Sequence, residues 1–442
     1  MRFLSAMMLL LAGLVAVPGP AADAAGFDLR DAHGVQVRSV RSEGRLIRVV
    51  VSTAALSRPV RVNVLLPQGY TDSRRRYPST YLFHGTSGGA DDWVEMGGAR
   101  EATRGRDLIT VMPDAGYDGN GGSWFTDWLD QGTGLGAARW ETFHVEQLVP
   151  WVDANFRTIR NRNARAIAGL SQGGFGAFSY AARHPDRFVA AASFSGAPDI
   201  ARNPVAKQAA TAVIAGTMTG LNGVQPHAPF GDPLLHDVVW QGHNPATLVG
   251  NLRHTDLRLW TGNGLPGPLD DPAEPEPAGP LIESVTHKST LFFSQAARTA
   301  GVRHVLRDYG PGTHTWPYWA RDLRQWLPRL EDVLDQRREP PRTVAYRSIE
   351  RRWTQWGWCV ASQRSARFGW TGLAAARRAG FTLSGGSAVV TTPARYAAGR
   401  RYGITYAGGD GPTQVVAGPG GRLRIEVRAP SSGPVTVTIR RR

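Results

Sequence analysis

The feature that most constrains this chain is Gly169-Leu170-Ser171-Gln172-Gly173, set between a β-like run, Arg165-Ala166-Ile167-Ala168, and a helical pattern that opens at Gln172. Small residues on both flanks let a strand turn sharply into a helix and leave a serine hydroxyl exposed at the bend. In a chain with 52 glycines the pentapeptide alone also arises as an ordinary tight turn. The strand before it and the helix after it therefore carry the inference. Gly174 and Gly176 extend the small face, so this helix can pack closely on neighbouring strands.

The surroundings repeat the same alternation. β-rich apolar runs over 47–53, 61–66, 79–83, 108–112, 164–168, 190–194, 257–260 and 304–308 interleave with helical patterns over 141–155, 172–183, 290–300 and 318–334. That order predicts a mostly parallel sheet flanked by helices. The segments 84–92, 262–283 and 310–316 each follow a strand, at the end of the sheet where open α/β folds bind ligands. After Leu334 the charged, proline-terminated stretch 335–341 reads as a linker. Beyond it Leu423, Ile425 and Val427 interleave with Arg422, Arg424, Glu426 and Arg428, and Val435, Val437 and Ile439 follow the same rule. A period of two predicts a small, half-buried antiparallel β-sandwich. Trp353, Trp356 and Trp358 are expected in the core of that unit, the alternative being a stacking platform for polysaccharide.

Met1-Arg2, the apolar run from Phe3 to Val17 and the small-residue stretch Ala22-Asp23-Ala24 have the layout of a secretory signal, with cleavage after Ala24 or nearby. The run is shorter than the ~20 apolar residues a membrane span needs. The expected division is a signal peptide over 1–25, an α/β unit over 26–335, a linker over 336–345 and a β-rich unit over 346–442. The one cysteine, Cys359, excludes an intrachain disulfide and any cysteine-based metal cluster. Formal charge is +15, and of the 51 basic residues only Lys207 and Lys288 are lysine. For a secreted protein, this charge points to an anionic cell-envelope surface as partner and away from nucleic acid. The bland alternative is scattered arginines that keep the surface solvated.

A serine nucleophile needs a histidine within hydrogen-bond reach and a carboxylate behind that histidine. Of the 11 histidines, His314 has the required place, late in the chain in Tyr309-Gly310-Pro311-Gly312-Thr313-His314-Thr315-Trp316, between the last strand and the last helix of the α/β unit. His84 reads as a wall of the pocket and His184 as a helix cap. Glu283, Asp270 and Asp271 are the candidate acids, since all follow the strand that ends at Trp260. The expected donors to an oxyanion are the backbone N–H of Gln172 and a group in His84-Gly85-Thr86-Ser87-Gly88-Gly89, with Thr86 the specific candidate. This chemistry calls for no metal and no cofactor.

The segment from about Ile47 to Leu334 resembles the esterase D group of α/β hydrolases and, within it, the actinobacterial antigen 85 mycolyltransferases. The resemblance is carried by Ser123-Trp124-Phe125-Thr126-Asp127-Trp128, Arg139-Trp140-Glu141-Thr142-Phe143, Gly231-Asp232-Pro233-Leu234-Leu235, Gly262-Asn263-Gly264 and Gly312-Thr313-His314-Thr315-Trp316-Pro317-Tyr318-Trp319. It implies an α/β-hydrolase fold, a triad of Ser171, Glu283 and His314, and oxyanion donors at Thr86 and Gln172. It further implies a secreted serine esterase or acyltransferase acting on acyl esters or glycolipids, with water, trehalose or another sugar as acceptor. The elbow Ser171-Gln172-Gly173-Gly174 has the plain esterase form, so hydrolysis and transfer both stand as expectations. The alternative is a non-catalytic adhesin or carbohydrate-binding protein on the same scaffold, disfavoured because all three triad positions carry competent residues.

Overall fold

The computed structural model describes residues 27–336, 338–430 and 433–441. The segment expected as a signal peptide, residues 1–25, lies outside the described residues. Nine strands, β1 (Val35–Glu43), β2 (Leu46–Thr53), β3 (Val60–Leu65), β4 (Ser79–Phe83), β5 (Ile109–Pro113), β6 (Arg165–Leu170), β7 (Ala190–Phe194), β8 (Asp256–Thr261) and β9 (Val305–Asp308), form one sheet. Its order is β1-β2-β3-β5-β4-β6-β7-β8-β9. The strands from β5 to β9 run parallel, while β1, β2 and β3 add an antiparallel edge. Strands β4, β5, β6 and β7 are buried along their whole length, as strands covered by helices on both faces must be.

The helices are α1 (Asp92–Glu95), α2 (Ala99–Ala102), α3 (Val149–Asn155), α4 (Gln172–Arg183), α5 (Pro204–Gly216), α6 (Asp237–His243), α7 (Gly279–Thr299) and α8 (Trp316–Leu334). Three differences from the sequence expectation matter. The helical stretch expected over 141–155 is split, with a π-helical segment Thr142–Leu148 ahead of α3. Helix α7 starts at Gly279, eleven residues before the expected 290, because Pro280 fits the first helical turn, where its missing N–H costs nothing. Strand β1 and helices α1, α2, α5 and α6 were not anticipated, being short or weakly periodic.

Ten strands follow, β10 (Val344–Ser348), β11 (Arg352–Gln355), β12 (Trp358–Ser362), β13 (Thr371–Arg377), β14 (Gly380–Ser384), β15 (Ala388–Thr391), β16 (Arg401–Ala407), β17 (Gln414–Val416), β18 (Arg424–Val427) and β19 (Val435–Arg441). They form two antiparallel sheets, β10-β13-β14-β19-β16-β17 and β11-β12-β15-β18. Strand β10 begins at Val344, inside the stretch read as linker. Trp353 and Trp358 are buried in the core of this sandwich and Trp356 only packs against it, so the three do not form one exposed platform. Cys359, half-buried on β12, is the only thiol, so the fold holds without a covalent cross-link.

The sandwich docks on the C-terminal end of α4. Tyr346 Oη donates to the Arg183 carbonyl at 2.7 Å and Gln355 Nε2 donates to the same oxygen at 3.0 Å. The Arg183 side chain bonds Glu141 at 2.8 and 3.0 Å through Nε, and Glu350 of the sandwich at 3.1 Å through Nη2. His184, the C-cap residue of α4, adds a 2.7 Å contact to Glu141. Burial would raise the Glu141 pKa, but Arg183 and His184 hold it well below the usual carboxylate range.

Candidate active site

The site is assembled where the parallel strands end. Ser171 follows β6 with φ 51° and ψ −125°, a strained conformation for a residue with a side chain. Its N–H donates to Phe194 O at the end of β7 (2.9 Å), while its carbonyl accepts from Gly174 N (2.9 Å) to open α4. The flanking glycines are sterically required. A Cβ on Gly169 would lie 2.4 Å from the Gly173 carbonyl carbon, and one on Gly173 would lie 2.3 Å from His84 O. Only glycine at both positions lets strand, helix and the loop after β4 approach this closely.

That loop carries Thr86, and α4 opens with Gln172, the two residues expected to flank an oxyanion. Gln172 is buried, and its side chain bridges two segments: Nε2 donates to Thr86 Oγ1 at 2.9 Å and Oε1 accepts from Trp124 N at 2.9 Å. Thr86 is exposed and tied to the residue after Ser171 through this one contact. His84 accepts from Ala115 N at Nε2 (2.9 Å), which leaves Nδ1 to donate to Gly85 O (2.8 Å). The imidazole thus has a fixed tautomer and ties the loop after β4 to the segment after β5.

Glu283 lies in the second turn of α7 and His314 in the loop before α8. Glu283 Oε2 meets His314 Nδ1 at 2.7 Å, both residues being buried. Glu283 Oε1 accepts three neutral donors: Gly262 N at 2.7 Å, Ser195 Oγ at 2.9 Å and Thr261 Oγ1 at 3.0 Å. These donors satisfy a buried carboxyl oxygen that has no access to water. The His314 ring packs edge-on against Trp319, with centroids 4.9 Å apart. Its Nε2 is buried and has no hydrogen-bond partner among the described residues, Ser171 included. Such contacts are often open until substrate binds.

The other two candidate acids are placed elsewhere. Asp270 accepts from Tyr318 Oη (2.8 Å) and Gly267 N (2.7 Å) and also bonds Thr313 Oγ1, so it staples the 262–278 loop to the residue before His314. Asp271 accepts from Ala273 N at 2.8 Å within its own exposed turn. Sequence reasoning missed Ser195 and Thr261. Ser195 directly follows β7 with φ 48°, and the serine-glycine pair after a buried apolar strand was the available signal. Behind Glu283, burial pushes the Asp322 carboxyl up to about 7, against the pull of Arg321, and Asp322 Oδ2 is unpartnered.

The esterase family model matches residues 53–330. The esterase Rv1288 of Mycobacterium tuberculosis is 34% identical over 271 residues, covering 60% of this chain and 54% of that protein, so the chain spans about half the length of this relative. The diacylglycerol acyltransferase/mycolyltransferase Ag85B of Mycobacterium leprae is 30% identical over 335 residues, covering 73% of this chain and 91% of that one. Among solved structures, MPT51 of Mycobacterium tuberculosis aligns with a TM-score of 0.52 at 24% identity, over 66% of this chain and 98% of its own. An S-formylglutathione hydrolase from Agrobacterium tumefaciens gives 0.51 at 16% identity, over 67% and 99%, which bears on the fold alone. A family match over most of the chain, on a mostly parallel sheet flanked by helices, means that this protein belongs to the esterase family of α/β hydrolases, related to the mycobacterial esterases and the antigen 85 mycolyltransferases.

Proposed function

We propose that the protein is a serine carboxylic-ester hydrolase or acyltransferase that works through an acyl-Ser171 intermediate, on lipid or sugar esters of the cell envelope. The observation that carries this reading is the buried 2.7 Å contact between Glu283 and His314, in a chain whose Ser171 is held on a strained strand-to-helix turn. Glu283 fixes the tautomer with the proton on Nδ1 and leaves Nε2 free to accept. His314 Nε2 takes the Ser171 proton as Oγ attacks the ester carbonyl. The backbone N–H of Gln172 and the Thr86 segment face the resulting oxyanion. Collapse of the tetrahedral intermediate expels the alcohol, which receives the proton from His314, and leaves the acyl chain on Ser171. Water or a sugar hydroxyl, trehalose being one candidate, then repeats the sequence in reverse. The resemblance to mycolyltransferases and the secretory pattern at the N-terminus favour action outside the cytoplasm.

Labelling with a serine-directed alkyl phosphonate tests the nucleophile. Wild type is expected to label, whereas Ser171→Ala is expected to lose the label and about a million-fold of ester turnover. Retained labelling in Ser171→Ala contradicts the assignment. Mass spectrometry of products with and without trehalose separates the acceptors, since acylated sugar identifies transfer and free acid alone identifies hydrolysis.

A further inference from the structure

At the opposite end of the sheet from Ser171, the N-terminal edges of β8 and β9, the last turn of α7, the segment after α8 and the turn between β11 and β12 enclose an open cleft of about 760 Å³. Six residues of strand separate it from the candidate active site, about 20 Å at ~3.3 Å per residue. Arg162, Arg253, Arg298, Arg303 and Arg338 line the cleft, and Trp356 of the sandwich forms part of its wall.

None of these five guanidinium groups lies within ion-pair distance of a carboxylate among the described residues. The acidic groups nearby are otherwise occupied or solvated. Asp256 pairs with Arg258 at 2.8 Å, Asp186 accepts the Trp356 N–H at 3.1 Å, and Glu339 is exposed. Arg162 Nε donates to Pro185 O at 2.8 Å and its Nη2 to His254 O, which leaves Nη1 for the cleft, with its guanidinium carbon 5.0 Å from the Trp356 ring centroid. Burial, with Arg338 next to it, pushes the Arg162 pKa down to about 10, although Asp186 pulls the other way. Like charges gathered in a partly dry cleft repel one another, and an anion placed among them removes that repulsion. Guanidinium forks match phosphate and carboxylate oxygens two at a time.

We propose that this cleft is a second binding site, for a glycan that carries phosphate or carboxylate groups, and that it holds the enzyme on an anionic envelope polymer while the far end of the sheet acts on esters. The site spans both units of the chain, since Trp356 comes from the sandwich and Arg162, Arg253, Arg298 and Arg303 come from the α/β unit. It stands independently of the acyl-serine mechanism.

The test uses the full chain with three probes: polygalacturonate, phosphomannan and neutral dextran. At low salt the wild type is expected to bind the two anionic glycans and not dextran, with affinity falling as salt rises. Exposed Arg253, Arg298 and Arg303 are replaced together by Glu, and this variant is expected to lose at least tenfold in affinity while its turnover of a soluble short-chain ester is unchanged. A control, Arg400→Glu with Arg401→Glu and Arg440→Glu, places the same charge change on exposed sandwich residues that do not line the cleft and is expected to bind as wild type does. Equal losses in variant and control would overturn the proposal, because affinity would then follow net charge alone. Binding of phosphatidylglycerol vesicles with no binding of either glycan would also overturn it, in favour of a membrane surface.

Discussion

Glu283 Oε1 accepts from three neutral donors, which leaves Oε2 for His314 Nδ1, the imidazole it orients in the proposed mechanism. A carboxamide at 283 cannot play that part, because it carries no charge and its N–H₂ would face donors. Glu283→Gln is therefore expected to lower kcat by about 10⁴-fold, the scale at which a triad loses its orienting acid. Asp271→Asn is expected to leave turnover within about a factor of two, since Asp271 touches only its own turn. Asp270→Asn is expected to fall between them, because it loosens the staple on Thr313 and lets His314 drift, and misplacement by about 1 Å costs up to ~10². Steady-state kinetics on one soluble ester ranks the three, and a larger loss in Asp271→Asn than in Glu283→Gln would move the acid to the loop.

At the scale of elements, the turn between β6 and α4 is over-determined by packing. Gly173→Ala drives a methyl into the backbone oxygen of His84, which no rotamer change can relieve. The variant is expected to lose about 2–4 kcal/mol in urea unfolding and most of its turnover, since the His84 loop must retreat from Ser171. Wild-type stability together with wild-type turnover would contradict this account. The same turn explains what the sequence could reveal. The strand-to-helix turn at Ser171 was legible because strand, glycines and helix sit within a dozen residues, and His314 could be put forward because chain order restricted the choice. Glu283 needed the resemblance to separate it from Asp270, since its three other partners come from the ends of β7 and β8. Ser195 and Thr261 belong to no local motif, and their role exists only once β7, β8 and α7 are side by side. Helix α6 eluded prediction for a related reason: its seven residues are too few for a 3.6-residue period to stand out.

At the scale of the whole molecule, buried histidines set the response to acid. Burial pushes the His144 imidazole down to about 3, where its neutral ring bonds Asp114 O at 2.9 Å and sits 3.1 Å from Tyr180 Oη. Its folded pKa is below the unfolded value near 6.5, so the unfolded chain binds the extra proton as pH falls between the two. Stability present above pH 6.5 is accordingly lost on acidification, by about 2 kcal/mol from His144 alone between pH 7 and pH 5. Urea midpoints at the two pH values check this, and His144→Gln is expected to flatten the difference. A midpoint that rises on acidification would contradict the sign. The division of the chain into α/β and β-rich parts was visible in its hydrophobic periods, whereas the seam between them was not. That seam includes the Arg183 carbonyl and guanidinium, at the end of a twelve-residue helix about 18 Å long, together with Asn251, which donates to Arg347 O and accepts from Arg347 N, and Asp186, which accepts the Trp356 backbone N–H. Helix α4 is thus a lever: the sandwich grips one end through Tyr346 and Gln355, and Ser171 sits at the tip of the other. A shift of the sandwich against that end would be carried along the helix axis towards Ser171, so the joint between the two units and the turn that holds the proposed nucleophile share one rigid element.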